Sequence, residues 1–167
     1  MIWEPISAWL KRAVPDRAVI RRNGDGVLPP RPFITARVIA EAREGQPSVG
    51  PMSDDGDVLV QQGALLTVSV QTWGDDAFAM ASTIRSSVER PSQQDHFNGD
   101  GLAYVRVLSG PTDAPAIVGT GWEDRAVLDV QFRTRIAFVD QLGIIERVEL
   151  TGDFGNEDYT ETIDPYQ

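Results

Sequence analysis

Residues 126–138 read Ala-Val-Leu-Asp-Val-Gln-Phe-Arg-Thr-Arg-Ile-Ala-Phe. Ala126, Leu128, Val130, Phe132, Ile136 and Phe138 are apolar, and Asp129, Gln131, Arg133 and Arg135 lie between them. A period of two held over this length makes a long strand with one buried and one wet face. The face that alternation buries needs a covering layer, and the rest of the chain is read for what supplies it.

Upstream, Leu66, Val68 and Val70 alternate with Thr67, Ser69 and Gln71, so Leu65 to Trp73 is a second strand. Gly74-Asp75-Asp76 then opens a helix whose apolar face carries Ala77, Ala81, Ile84 and Val88, with Phe78 beside it. Acidic residues suit that end of the helix dipole, and Arg90-Pro91 stops it. Gln93 to Asn98 adds at most one more turn. Near the N-terminus, Glu4 to Val14 has Pro5 in its first turn and Ile6, Trp9, Leu10 and Ala13 on one face, ended by Pro15, which predicts another helix. Shorter strands are expected at Ala18–Arg22, Phe33–Ile39, Leu102–Leu108 and Ile144–Leu150.

Between these elements the punctuation is dense. Asn23-Gly24-Asp25-Gly26 is a turn signal. Glu41 to Gly56 is a long loop or the tip of an extended hairpin, and Ser109 to Gly121 is a loop. The expected fold is α+β: a single domain with a mixed, mostly antiparallel sheet, two helices packed on one face, and a long β-hairpin or loop protrusion. Residues 1–150 form this domain, and 151–167 an acidic C-terminal tail or arm with Asp153, Glu157, Asp158, Glu161 and Asp164 and no base. No internal repeat is visible.

Composition narrows the function. The chain has 167 residues, which one core can organise, and a formal net charge of −10, the wrong sign for wrapping nucleic acid through phosphates. It has no cysteine, so thiolate ligands and thiol nucleophiles are out. The first residues lack a secretory pattern, and no apolar run approaches the ~18–20 residues of a membrane span.

Motifs for chemistry are missing as well. The one histidine, His96, sits in a polar segment, and no serine occupies a Gly-x-Ser-x-Gly elbow. Ser53-Asp54-Asp55-Gly56-Asp57 is acidic but lacks the ligand spacing and closing glutamate of a calcium loop. Gly119 and Gly121 are a bare pair, not a phosphate cradle. No catalytic, cofactor-binding or metal-ligating residue is therefore assigned. Trp73 and Trp122 stand at strand edges, where they either pack or anchor an interface.

Several pieces recur in a familiar order: Arg31-Pro32-Phe33-Ile34-Thr35 opening a strand, Val68 to Ala77 (VSVQTWGDDA) leading from strand to helix, Arg90-Pro91-Ser92 closing it, Trp122 to Arg133 (WEDRAVLDVQFR), and Gly143 to Glu149 (GIIERVE). Taken together, over residues 5–150, they resemble the tail terminator, or neck terminator, proteins of tailed bacteriophages and prophages. The resemblance implies a non-enzymatic virion protein made in the bacterial host cytoplasm, without cofactors. It implies a ring, six copies in the family pattern, that caps the tail tube, ends its polymerisation and joins it to the head. Its partners are then other copies of itself, the tail tube protein on one side and a head–neck connector or stopper protein on the other. Genome DNA passes through the lumen without specific binding, which an acidic protein suits.

The candidate subunit or partner contacts are Trp73, Asp75, Trp122, Glu123, Arg125, Asp129, Gln131, Arg133 and Arg135. The last four equally suit a plain solvent face. Two other readings stay open: another neck component such as a stopper or completion protein, and a small soluble module with a ligand pocket against its sheet.

Overall fold

The computed structural model describes residues 2–21, 28–143, 148–154 and 157–163. In chain order the elements are α1 (Trp3–Ala13), β1 (Ala18–Arg21), β2 (Phe33–Met52), β3 (Asp57–Trp73), α2 (Ala77–Val88), α3 (Pro91–Gly99), β4 (Leu102–Asp113), β5 (Ala116–Val118), β6 (Gly121–Glu123), β7 (Arg125–Gln141), β8 (Val148–Phe154) and β9 (Glu157–Ile163). The fold is α+β, as expected. Five strands form one sheet in the order β1-β2-β3-β7-β4, and β5–β6 and β8–β9 are separate two-stranded ribbons. The short β1 lies parallel to β2, with Ala18 opposite Phe33, and β4 lies antiparallel to β7, with Leu102 opposite Thr134.

Backbone contacts divide the chain into two compact units, one of residues 1–46 and 62–136, the other of 47–61 and 137–167. In the first, Leu66, Val68, Val70, Leu128, Val130 and Phe132 alternate onto one sheet face and pack against Ile6, Trp9 and Leu10 of α1, Ile84 and Val88 of α2, and Phe97 of α3. The aromatic rings at its centre meet edge to face: Trp9 with Phe97 at 5.7 Å, Trp9 with Phe132 at 5.8 Å, Phe97 with Phe132 at 5.0 Å. The indole N–H of the fully buried Trp9 donates to Ser87 Oγ at 2.8 Å, and that hydroxyl donates to the Ile84 carbonyl at 2.7 Å. Arg12 Nε donates to Gln93 Oε1 at 3.0 Å, a second tie between α1 and α3.

The second unit holds the outer ends of β2, β3 and β7 and the β8–β9 ribbon, whose register runs from Val148 opposite Ile163 to Phe154 opposite Glu157. Its tight turn is closed by Ser53 N–H to the Asp57 carbonyl at 2.8 Å and by Asp57 N–H to Ser53 Oγ at 3.1 Å. Gly56 sits there at φ +79°, and a Cβ on it would come within 2.6 Å of the Gly143 carbonyl carbon, so no other residue fits.

Two details depart from the sequence reading, and one alternative that it left open is decided. Three helices cover the face instead of two: α3 is a full helix with Pro91 in its first turn and Phe97 driven into the core. The stretch 41–56, expected as a long loop or the tip of an extended hairpin, is the hairpin: strand β2 runs to Met52 and β3 starts at Asp57. Here Gln62 Nε2 donates to the Gly45 carbonyl at 2.7 Å and Ser48 Oγ to the Gln61 carbonyl at 3.4 Å, and Pro47 and Pro51 are tolerated because, among the described residues, β1 pairs with 33–36 and nothing pairs with the outer side of β2 beyond them. Residues 109–123 likewise contain the end of β4 and the β5–β6 hairpin. Bulges at Tyr104/Arg106, Val107/Ser109 and Ser109/Thr112 let this edge strand carry Gly110-Pro111. The Asn23–Gly26 turn and residues 144–147 of the expected last strand lie outside the described residues.

Replacing Trp9 by Ala is expected to cost about 3–5 kcal/mol, the usual loss for a buried aromatic. Ser87→Ala is expected to cost about 1–3 kcal/mol, because the indole N–H would be left buried without an acceptor. Urea unfolding of the two variants measures both.

Candidate functional site

The sheet face opposite the helices is polar. Alternation along β3 turns Thr67, Ser69 and Gln71 to it, and alternation along β7 turns Asp129, Gln131 and Arg133 the same way. Long side chains bridge strands across it. Arg106 Nε donates to Gln131 Oε1 at 3.2 Å. Arg133 forms a two-point ion pair with Glu44, Nε to Oε2 at 2.7 Å and Nη2 to Oε1 at 3.2 Å. Since β3 lies between β2 and β7, this pair spans a strand. The bond from Arg133 holds the Glu44 carboxyl below the ordinary glutamate range, and Glu44 in turn raises Arg133.

Not every group on this face is satisfied. Arg37 Nε, Gln71 Oε1 and Asp129 Oδ1 are buried without a hydrogen-bond partner among the described residues. A buried polar atom left so costs about 1–3 kcal/mol, which water or a docked chain relieves. Beside the face, residues 37–46 of β2 have no strand on their outer side among the described residues, and Val38 and Ile39 are exposed there.

At one end of the sheet a second cluster forms around Trp73, the last residue of β3. Its ring stacks on Phe33 at 6.0 Å and 15°, its Nε1 donates to Thr35 Oγ1 at 3.3 Å, and the Arg125 guanidinium lies 5.3 Å from its centroid. Arg125 Nε donates to the Ala114 carbonyl at 2.8 Å. Glu123 pairs with Arg31, and its Oε2 is buried without a partner among the described residues. Gly74, at φ +91°, passes so close to Arg31 and Pro32 that a Cβ would meet their atoms at 3.1–3.2 Å, and its N–H donates to the Asp124 carbonyl at 2.9 Å.

The nine residues singled out from the sequence thus divide. Trp73, Glu123 and Arg125 are brought together in this cluster, where they hold the base of the β5–β6 hairpin. Asp129, Gln131 and Arg133 share the open face. Trp122 projects from the hairpin, 73% exposed, while Asp75 precedes α2 and Arg135 lies farther along β7, both exposed. Sequence reasoning missed Arg31, Arg37, Glu44 and Gln71. Gln71 was legible as part of the polar period of β3, but Glu44 meets its partner 89 residues away, and no local pattern announces such a pair. His96 is exposed on α3. Among the described residues no cluster of three or more His, Cys, Asp or Glu is arranged to hold a metal, and no helix is long and apolar enough to cross a membrane.

The fold is α+β, with one sheet face packed under helices, a polar opposite face, an edge that is open among the described residues and a hairpin with an exposed apolar face. A family model described as phage neck terminator protein matches residues 2–158, and the chain belongs to that family. No curated protein matches it. The family is one of structural proteins of the phage neck, so this is a virion component that interacts with other parts of the tail and head.

The ion pair makes a direct prediction. Carboxyl NMR of Glu44 is expected to show a titration midpoint below that of an ordinary glutamate, moving up to the ordinary value in Arg133→Ala. Because the folded value is the depressed one, the pair's small, solvent-screened stabilisation is full above the ordinary carboxylate range. It is lost as pH falls through the depressed midpoint.

Proposed function

We propose that the chain forms a closed ring, hexameric in the family pattern, on the head-proximal end of the tail tube, where it ends polymerisation and offers its other side to a connector or stopper protein of the head. Membership of the neck terminator family is the observation that carries this reading. The surface supports it. A ring is made by repeated head-to-tail contacts that close by rotation. The outer side of β2 beyond residue 36, unpaired among the described residues, and the polar face carrying Arg37, Gln71 and Asp129 provide backbone and side-chain groups that a neighbour satisfies. Trp73, Glu123 and Arg125 shape the hairpin base, Asp75 and Trp122 are exposed near it in the chain, and Asp129, Gln131, Arg133 and Arg135 supply charge along β7 for pairing between subunits or with the tube. The net charge of −10 keeps passing DNA from sticking, because phosphates are repelled where no basic footprint anchors them.

Electron microscopy of lysates from a phage or prophage with an early stop in this gene tests the role. Tails of uncontrolled length are expected. Tails of normal length that fail to join heads would instead make the protein a stopper on the head side of the joint. Normal infectious particles would refute a structural role in the neck.

A further inference from the structure

The β5–β6 hairpin is a small feature with an unusual surface. Its two-residue turn runs through Gly119, at φ +64°, and Thr120, with Val118 opposite Gly121. The register places Ile117 opposite Trp122, so the two side chains share one face. That face is bare: Ile117 is 66% and Trp122 73% exposed, and the indole N–H has no acceptor among the described residues. Three-residue strands do not hold a ribbon together by themselves. Its base does, through the Arg31–Glu123 ion pair, the Ala114 N–H to Arg125 carbonyl bond at 2.8 Å, and the Arg125 side chain fixed between the Ala114 carbonyl and the Trp73 ring. The result is a stiff stem that carries an aromatic–aliphatic pair into solvent, the kind of preorganised anchor that dominates binding energy in protein interfaces.

The same compact unit contains a receptor for it. A cleft of about 310 Å³ opens between the start of α1, the start of β4 and β7, floored by Ile2, Pro5, Leu102 and Ile136, with Asp100 and Thr134 among its polar walls. Its size is at the low end for ligand pockets, enough for one large aromatic side chain and its neighbour. The Asp100 carboxylate is an acceptor of the sort an indole N–H requires when it leaves water. Hairpin and cleft lie at opposite ends of the paired part of β7. Arg125 and Arg135 are separated by roughly 33 Å at the ~3.3 Å rise of a strand. A hairpin anchored at its base cannot cross that span to its own cleft.

The geometry points to a knob-and-hole contact between copies, in which Ile117 and Trp122 of one subunit seat in the Ile2/Pro5/Leu102/Ile136 cleft of the next. This deepens the ring reading and rests on it: a knob at one end and a hole at the other give a heterologous contact, which propagates and closes into a ring when the rotation per step divides the circle. Asp100 and Thr134 set the orientation of the indole.

Since the chain has no cysteine, introduced thiols are the only ones present. In the full chain, Thr120→Cys combined with Asp100→Cys is expected to yield, on oxidation of the assembled protein, a covalent ladder extending past the dimer. Each single variant should stay monomeric on the same non-reducing gel. Trp122→Ala, at a position 73% exposed, is expected to keep its thermal midpoint and lose self-association by roughly 30-fold or more in analytical ultracentrifugation. A ring that forms in the wild type but does not cross-link, or that Trp122→Ala assembles equally well, overturns the contact and leaves the ring. A ladder that stops at the dimer overturns it too, in favour of a two-fold pair. A wild type that stays monomeric in solution and on tube ends overturns the ring reading and this contact together.

Discussion

The core of the first unit is built around Trp9. It is a large, fully buried ring at the point where α1, α2, α3 and β7 converge, and it carries a polar atom that burial would otherwise penalise. Ser87 takes that N–H and passes its own hydrogen to the helix that bears it. The consequence is geometric. With the indole oriented by one hydrogen bond and two edge-on phenyl rings, the helices have one way to lie on the sheet, and strands β3 and β7 are held flat against them. The polar residues of those strands are thereby turned to the opposite face.

That division explains where interaction surface is left. A sheet covered by helices on one side only must either solvate its other face or share it. Here the other face is stitched by long side chains, Arg133 to Glu44 and Arg106 to Gln131, while Arg37, Gln71 and Asp129 each retain a buried atom without a partner among the described residues. The hairpin is the reverse case, apolar where a solvated loop would be polar. A phage neck protein interacts with other parts of the tail and head, and these two surfaces differ enough in chemistry to serve different neighbours.

Much of the fold was legible because its signals are local. The period-two run through Phe132 and the period-3.6 stripes of Ile6, Trp9 and Leu10 and of Ala77, Ala81 and Ile84 identify the core strands and helices directly. What was misread or left open is what composition alone governs poorly. Gly45, Pro47, Gly50 and Pro51 left 41–56 open between a loop and a hairpin tip, and they lie in strand β2, which has no outer partner there among the described residues and so tolerates them. Helix α3 is weakly amphipathic, and only Phe97 and Gln93 reach the interior, so its length was hidden. Phe78, placed beside the apolar stripe of α2, is half exposed. Of the candidate contact residues, Trp122 was visible as an aromatic next to polar turns. Its pairing with Ile117 on the exposed face of the hairpin depends on the β5–β6 register, which no spacing reveals.

The central claim is that this chain is the ring at the junction of tail tube and neck. A cryo-electron microscopy reconstruction of the neck of the mature virion tests it most directly. The account expects a single ring of this α+β fold seated on the last layer of tube subunits, with β5–β6 hairpins bridging adjacent copies. A neck in which this fold is absent from the tube end, or present there without contacts between its own copies, would contradict it.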